Sequence, residues 1–176
     1  MEDGKMNINA KIGWHAGMEL TAQTFIELDK NLDRQQQITR RIANGGDFGI
    51  IPAAPFHCQG AFVKKTLEIT PLTFMALLPS GRILHVDENV VLDIPILYGK
   101  EYYLGCRQSD NMRAFDKERV PFVSPVPSCG IYTLDELEKE DILPLMKFKV
   151  DDGMFSVVRD YLPPYLMLES DERFQI

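Results

Sequence analysis

The feature that most constrains this chain is a change of hydrophobic period near residue 48. Before it, Phe25, Leu28, Leu32, Ile38 and Ile42 recur mostly every three or four positions, while Glu27, Lys30, Asp33, Arg34, Arg40 and Arg41 take the other faces. That spacing predicts an amphipathic helix of about six turns over residues 21–43. Thr21 offers an N-cap oxygen, and Asn44-Gly45-Gly46 offers a left-handed stop. Acidic residues early and arginines late suit the helix dipole. The glutamines Gln35, Gln36 and Gln37 interrupt the apolar stripe and predict weak packing at mid-helix.

From Phe48 onward the period is two, and the chain reads as strands. Val63, Leu67 and Ile69 alternate with Lys64, Thr66 and Glu68 as one strand broken at Lys65. Residues 73–78 and 82–86 flank Pro79-Ser80-Gly81, which predicts a hairpin with glycine at the positive-φ position. Val90, Leu92, Ile94 and Ile96 form another stripe, and residues 101–107 place Tyr102, Leu104 and Cys106 on one face. Pro121, Pro125 and Pro127 exclude a central strand from residues 120–130, which read as an extended surface crossing. Thr133-Leu134-Asp135-Glu136 is a capping-box pattern opening a short helix to about Glu140, with Pro144 as its stop. Met146, Phe148 and Val150 then lead through Asp151-Asp152-Gly153 into a second hairpin, over residues 154–160.

About eight strands, one long N-terminal helix and little other helix give a mainly β fold, a β-sandwich rather than a βαβ sheet. The expected organisation is an N-terminal strap (1–20), a helix plus sandwich domain (21–168) and the start of a further helical region (169–176). A chain of 176 residues suits one such domain.

Composition narrows function mostly by exclusion. Nineteen basic against 26 acidic side chains leave a net charge of −7, the wrong sign for a general phosphate-backbone binder. No apolar run approaches the ~20 residues that cross a bilayer, and the N-terminus lacks the basic and apolar regions of a secretory signal. Cys58, Cys106 and Cys129, odd in number and far apart, read as reduced thiols of a cytosolic protein. His57-Cys58 has neither the spacing of a zinc site nor an orienting third group for a nucleophilic pair. The Gly45-Gly46-Asp47-Phe48-Gly49 stretch follows a helix instead of opening one, so it reads as a C-cap and not a phosphate cradle. The acidic residues between 135 and 141 lack the alternating ligands and central glycine of a calcium loop. No catalytic residue, metal ligand or cofactor-binding residue stands out.

One segment is not accounted for by the strand and helix pattern. Ile12-Gly13-Trp14-His15-Ala16-Gly17-Met18-Glu19-Leu20 gathers the only tryptophan, a methionine and a leucine between glycines. It is either a strap packed on its own domain or an intermolecular anchor of the Trp- and Met-rich kind found at interface hot spots.

These residues, followed by Gln23 and Phe25, resemble the opening signature of the TssK family, the trimeric baseplate adaptors of type VI secretion systems. Phe48-Gly49-Ile50 is similar to that family's aromatic-Gly-aliphatic step, and Leu78-Pro79-Ser80-Gly81-Arg82 to its hairpin. Asp152-Gly153 with Asp160-Tyr161-Leu162-Pro163-Pro164 resembles its closing motif. The matches run in order from Trp14 to about Leu168. Ala22 and Thr24 stand where the family prefers Pro and His, residues 7–11 have no clear counterpart, and residues 111–128 resemble nothing alignable. The pattern is that of a divergent branch.

The resemblance implies a shoulder domain, a β-sandwich akin to that of siphophage receptor-binding proteins, without catalysis or cofactor. It implies docking onto the wedge subunits TssF and TssG, trimerisation in the full-length protein, and contact with the membrane complex only through a C-terminal region. It also implies a place at the cytoplasmic face of the inner membrane. Trp14, Met18, Leu20 and Phe25 are the expected partner-interface residues. The competing expectation is a carbohydrate- or ligand-binding sandwich using Tyr102, Tyr103, Tyr161 and Tyr165 as stacking platforms; a hydrolase with unrecognised carboxylates is a third.

Overall fold

The computed structural model describes residues 12–51, 56–63, 65–94, 100–114, 123–151 and 154–166. Helix α1 (Ala22–Ala43) is followed by strands β1 (Gly49–Ile51), β2 (His57–Val63), β3 (Thr66–Leu77), β4 (Ile83–Asp93), β5 (Lys100–Ala114) and β6 (Val123–Tyr132). The short helix α2 (Leu134–Lys139) then leads to β7 (Leu143–Asp151) and β8 (Met154–Val157). The strands make two four-stranded antiparallel sheets. In the first, β3 is central, with β4 on one side and β1 and β2 sharing the other; the second runs β6-β5-β7-β8. The mainly β sandwich expected from the pattern is the fold observed.

The two sheets meet through alternate residues of each strand. Leu67, Ile69, Leu72, Phe74, Leu84 and Val86 of the first sheet and Leu104, Phe148 and Val150 of the second are all buried. Phe62 of β2 spans the layers, its ring 5.7 Å from Phe148 and 5.3 Å from Phe155. Side chains at period two on both inner faces thus build one apolar layer, the standard solution for paired sheets.

Five features differ from expectation. The stripe through Val63, Leu67 and Ile69 is two strands: Val63 pairs with Thr66, and the chain reverses around Lys65. The proline-rich segment contains strand β6, admitted because it lies at a sheet edge. Cys106 and Cys129 face each other with Cα atoms 4.2 Å apart, the spacing of a pair that exchanges no backbone hydrogen bonds. Residues 127 and 125 therefore turn their backbone outward, where a missing N–H costs nothing.

Pro144 does not stop α2. The helix ends at Glu140 in extended conformation, and Pro144 lies in β7 opposite Gly105, where the register shifts. Finally, Cys106 and Cys129 are joined in a disulfide, not held as separate thiols. Their register across β5 and β6 brings together two cysteines 23 positions apart. Cys58 is free. The second hairpin forms, with Asp151 opposite Met154, but β8 is shorter than the run to Asp160. Ile96, Asp152-Gly153 and the tail at 169–176 lie outside the described residues.

Candidate docking surface

Thr21 caps α1 with its hydroxyl, which accepts from the Thr24 N–H at 3.2 Å. The turn before it closes through the Met18 N–H to the His15 carbonyl at 3.2 Å, with Gly17 at φ 83°. Arg40 and Arg41 occupy the last turn, and Gly45 and Gly46 carry the left-handed stop, as the pattern predicts. The first turn holds no acid; Glu27 and Asp29 come a turn later. Along the polar faces, Gln23 donates to Glu27 (2.8 Å), Gln37 to Asp33 (2.7 Å) and Arg40 to Gln36 (2.9 Å), i,i+4 contacts that support an exposed helix.

The helix is exposed on its apolar side as well. None of its residues is buried. Phe25 is 53% exposed, Leu32 48% and Ile42 76%, and in the strap Trp14 is 55% and Leu20 57% exposed. Met18 is half-buried. Of the two roles open to Trp14, filling a groove of its own domain is not the one observed. Three of the four expected interface residues face solvent, on the strap and first turn of α1.

What holds α1 is its C-terminal half. It crosses the β3–β4 turn, where Gly81 sits at φ 88° directly beneath the Gln37 carbonyl and the Arg41 side chain. The Arg40 guanidinium donates to the Gly81 carbonyl at 3.4 Å. On the other side of that turn, the Ser80 N–H donates to the Asp141 carboxylate at 2.8 Å. The Leu-Pro-Ser-Gly segment is thus a seat for the helix. A second anchor joins the start of the strands to the end of the described chain. Ile50 N–H donates to the Pro164 carbonyl (2.9 Å) and Leu166 N–H to the Ile50 carbonyl (3.0 Å). Gly49, at φ 147°, would bring a Cβ within 2.5 Å of the Pro164 carbonyl oxygen, so only glycine fits.

Burial pushes the Cys58 thiol up to about 12, which keeps it protonated and a poor nucleophile at neutral pH. Among the described residues no group of three His, Cys, Asp or Glu side chains is placed to hold a metal ion. The tyrosines expected as sugar platforms are turned inward or onto one another. Tyr102 is 2% exposed and stacks on Phe148 at 5.9 Å; Tyr103 is buried edge-on against Tyr161 at 5.7 Å; Tyr165 meets Phe56 edge-on at 6.1 Å. Burial, with a contribution from Tyr103, pushes the Tyr161 phenol up to about 12.

No family model and no curated protein matches the sequence. Among solved structures, the fold resembles that of a chain in the type VI secretion system TssK-TssF-TssG baseplate subcomplex, determined by cryo-electron microscopy. The superposition has a TM-score of 0.57 at 13% sequence identity. It covers 95% of this chain and 65% of that one, so the chain spans about two-thirds of its neighbour's length. At this identity the likeness is one of fold. It takes in the sheets together with nearly all the rest of this chain.

Among the described residues no helix is long and apolar enough to cross a membrane. The exposed Ile26 (47%) and Met112 (60%) are the apolar residues near this surface that sequence reasoning passed over. Ile26 is one step off the helix's main stripe, and Met112 belongs to β5, whose length was not anticipated beyond Arg107. A groove of about 530 Å³ separates α1 from the sheets, lined by Leu32, Asp33, Gln36, Arg82 and Met112 among others.

Proposed function

We propose that this chain is a non-enzymatic structural module of a type VI secretion baseplate, a TssK-like shoulder domain that docks onto the wedge subunits TssF and TssG. The observation that carries this reading is the exposed apolar strap and helix face, with Trp14, Leu20 and Phe25 each more than half exposed. Large apolar side chains left in water on a helix seated at one end mark a surface meant to be covered. The fold likeness to a chain of the TssK-TssF-TssG subcomplex supports the choice of partner. So does the use of the motifs that resemble TssK: Gly81 seats α1, and Gly49 receives Pro164.

On this reading the domain works by rigidity. The sandwich fixes the β3–β4 turn, the turn fixes α1, and α1 with the strap presents Trp14, Met18, Leu20 and Phe25 to the wedge. The full-length protein is a trimer at the cytoplasmic face of the inner membrane, and a C-terminal region beyond the shoulder meets the membrane complex. No cofactor takes part. The test is co-expression of the tagged chain with the wedge subunits encoded beside it, followed by gel filtration. A complex that survives the column supports the docking role. A folded chain that elutes free of both subunits, in this form and in a longer reading frame, refutes it.

A further inference from the structure

The disulfide between Cys106 and Cys129 sits at a boundary in the second sheet. The β5–β7 ladder runs from Lys100 to Cys106, whereas the β5–β6 ladder continues to Ala114 opposite Val123. Residues 107–114 of β5 and 123–128 of β6 therefore leave the four-stranded sheet as a two-stranded arm, with the disulfide at its root. Two strands by themselves are marginal in water. This pair is weakened further by a register shift between Gln108 and Met112, where residues 109–111 stand against Val126 alone. Pro125 and Pro127, turned outward, give no N–H to a strand that would brace the arm from its other side.

The two halves of β6 are held differently. Inside the sheet, the Tyr132 ring covers the Gly105–Gly130 pair: a Cβ on Gly105 would lie 3.0 Å from a ring carbon, and one on Gly130 2.9 Å from the hydroxyl. That packing, with an unshifted register from Tyr132 to Ser128, holds this half without the disulfide. In the arm the side-chain ties belong to β5. Gln108 donates to the Ile83 carbonyl at 2.7 Å, and Arg107 pairs with Glu140 at 2.6 Å. The disulfide is the covalent link from that anchored strand to β6. Met112 and Pro125 of the arm help line the groove of about 530 Å³ beside α1, together with Leu32 and Gln36. The two sulfurs also differ in access. Cys106 is 0% exposed, whereas Cys129 is half-buried on the edge strand, so Cys129 Sγ is the one open to an incoming thiolate.

We propose that the Cys106–Cys129 pair is a redox-controlled latch, opened in the folded chain by a dithiol reductant to free the arm and closed again by exchange with an oxidised thiol. One thiolate of the dithiol attacks Cys129 Sγ and forms a mixed disulfide as the Cys106–Cys129 bond breaks; Cys106 leaves as a thiolate and takes a proton. The second thiolate of the dithiol then attacks the dithiol's own sulfur in the mixed disulfide, and Cys129 leaves and is protonated. Two electrons and two protons pass to the protein, and the dithiol becomes a disulfide. With the latch open, the Met112–Pro125 wall of the groove loosens while the sandwich core stays packed. Nothing in this latch depends on which partner the domain binds.

The test is amide exchange on the full chain in native buffer, before and after excess dithiothreitol, with free thiols counted at each stage. The expected result is that Cys106 and Cys129 become reducible without urea. The protected amides of residues 109–114 and 123–128 then exchange about tenfold or more faster, while those of Leu104, Phe148 and Val150 keep their rates. Oxidised glutathione is expected to restore the slow exchange. The double variant Cys106→Ala, Cys129→Ala fixes the open state, so its arm is expected to exchange at the reduced rate and to ignore dithiothreitol. A pair that resists dithiothreitol until urea unfolds the chain is a static staple and overturns the proposal. So does reduction that leaves the arm amides unchanged, or that speeds exchange throughout both sheets.

Discussion

Replacing Gly81 with alanine tests how α1 is held, on which the presentation of the docking surface depends. Gly81 sits at φ 88°, where an L side chain costs about 1–2 kcal/mol. Its new Cβ would collide with the Gln37 carbonyl and lie 3.0 Å from the Arg41 Cγ, so the helix end must lift. Lifting sacrifices the Arg40–Gly81 hydrogen bond, about 0.5–1.5 kcal/mol. Alanine's stiffer unfolded chain returns about 0.4–1 kcal/mol. The net loss is about 0.5–3 kcal/mol, a fall in Tm of roughly 1–12 °C for a chain of this size. Gly45→Ala is the control: φ is 63° there, but nothing lies within 4 Å of the added carbon, so only the backbone cost applies. Urea or thermal unfolding of both variants reads the difference. If Gly81→Ala costs no more than Gly45→Ala, the helix does not rest on the turn and the seat is wrong.

Three further outcomes are expected. Phe148→Ala should cost about 3–5 kcal/mol in urea unfolding, since the ring is fully buried between Phe62 and Tyr102; a loss under about 1 kcal/mol would mean the sheets do not pack through it. Thiol titration of air-purified protein in denaturant should count one reactive cysteine, Cys58, and three after reduction; three without reductant contradicts the Cys106–Cys129 pairing. Glu101, hydrogen-bonded to Lys147 (2.7 Å) and Lys149 (3.2 Å), is held below the usual glutamate range. Its contribution to stability is therefore fully present above the unfolded glutamate pKa and is lost as pH falls through the lowered folded value. Carboxyl NMR titration should find Glu101 among the last glutamates to protonate. The Lys147 ammonium is held above the usual lysine range, first by its hydrogen bond to Glu101 and then by Tyr103, so Glu101→Gln should reduce that upward shift.

Much of the fold is legible in the sequence because local chemistry and tertiary packing agree there. Helix α1 starts at the Thr21 cap and stops at Asn44, and the Pro79-Ser80-Gly81 turn and the Thr133–Glu136 capping box form where their residues demand. The capping pair closes with the Thr133 N–H on the Glu136 carboxylate at 2.7 Å. What escaped reading depends on neighbours distant in the chain. Strand β6 is permitted only because nothing pairs with its outer side among the described residues. The disulfide follows from a register that no spacing rule reveals. The reversal at Lys65 falls at the one break in the alternation, and a single break does not by itself distinguish a tight turn from an irregular strand.

The docking surface divides the same way. Trp14, Met18, Leu20 and Phe25 stand out by residue type and position, and the solvent exposure of three of them is a property of the seated helix. That α1 would leave its apolar face uncovered could not be read from periodicity, which predicts a stripe but not what lies against it.

Trp14 is the only tryptophan, which makes it a private reporter. The most direct measurement is fluorine NMR of the chain labelled with 5-fluorotryptophan, titrated with unlabelled wedge subunits TssF and TssG. The account predicts that the single resonance, solvent-exposed in the free chain, shifts and broadens as the complex forms. Trp14→Ala should leave the fold intact and weaken capture by about 2–4 kcal/mol, roughly 30- to 1,000-fold. A complex that forms while the Trp14 resonance stays where it was, or no complex with a chain shown to be folded, contradicts it.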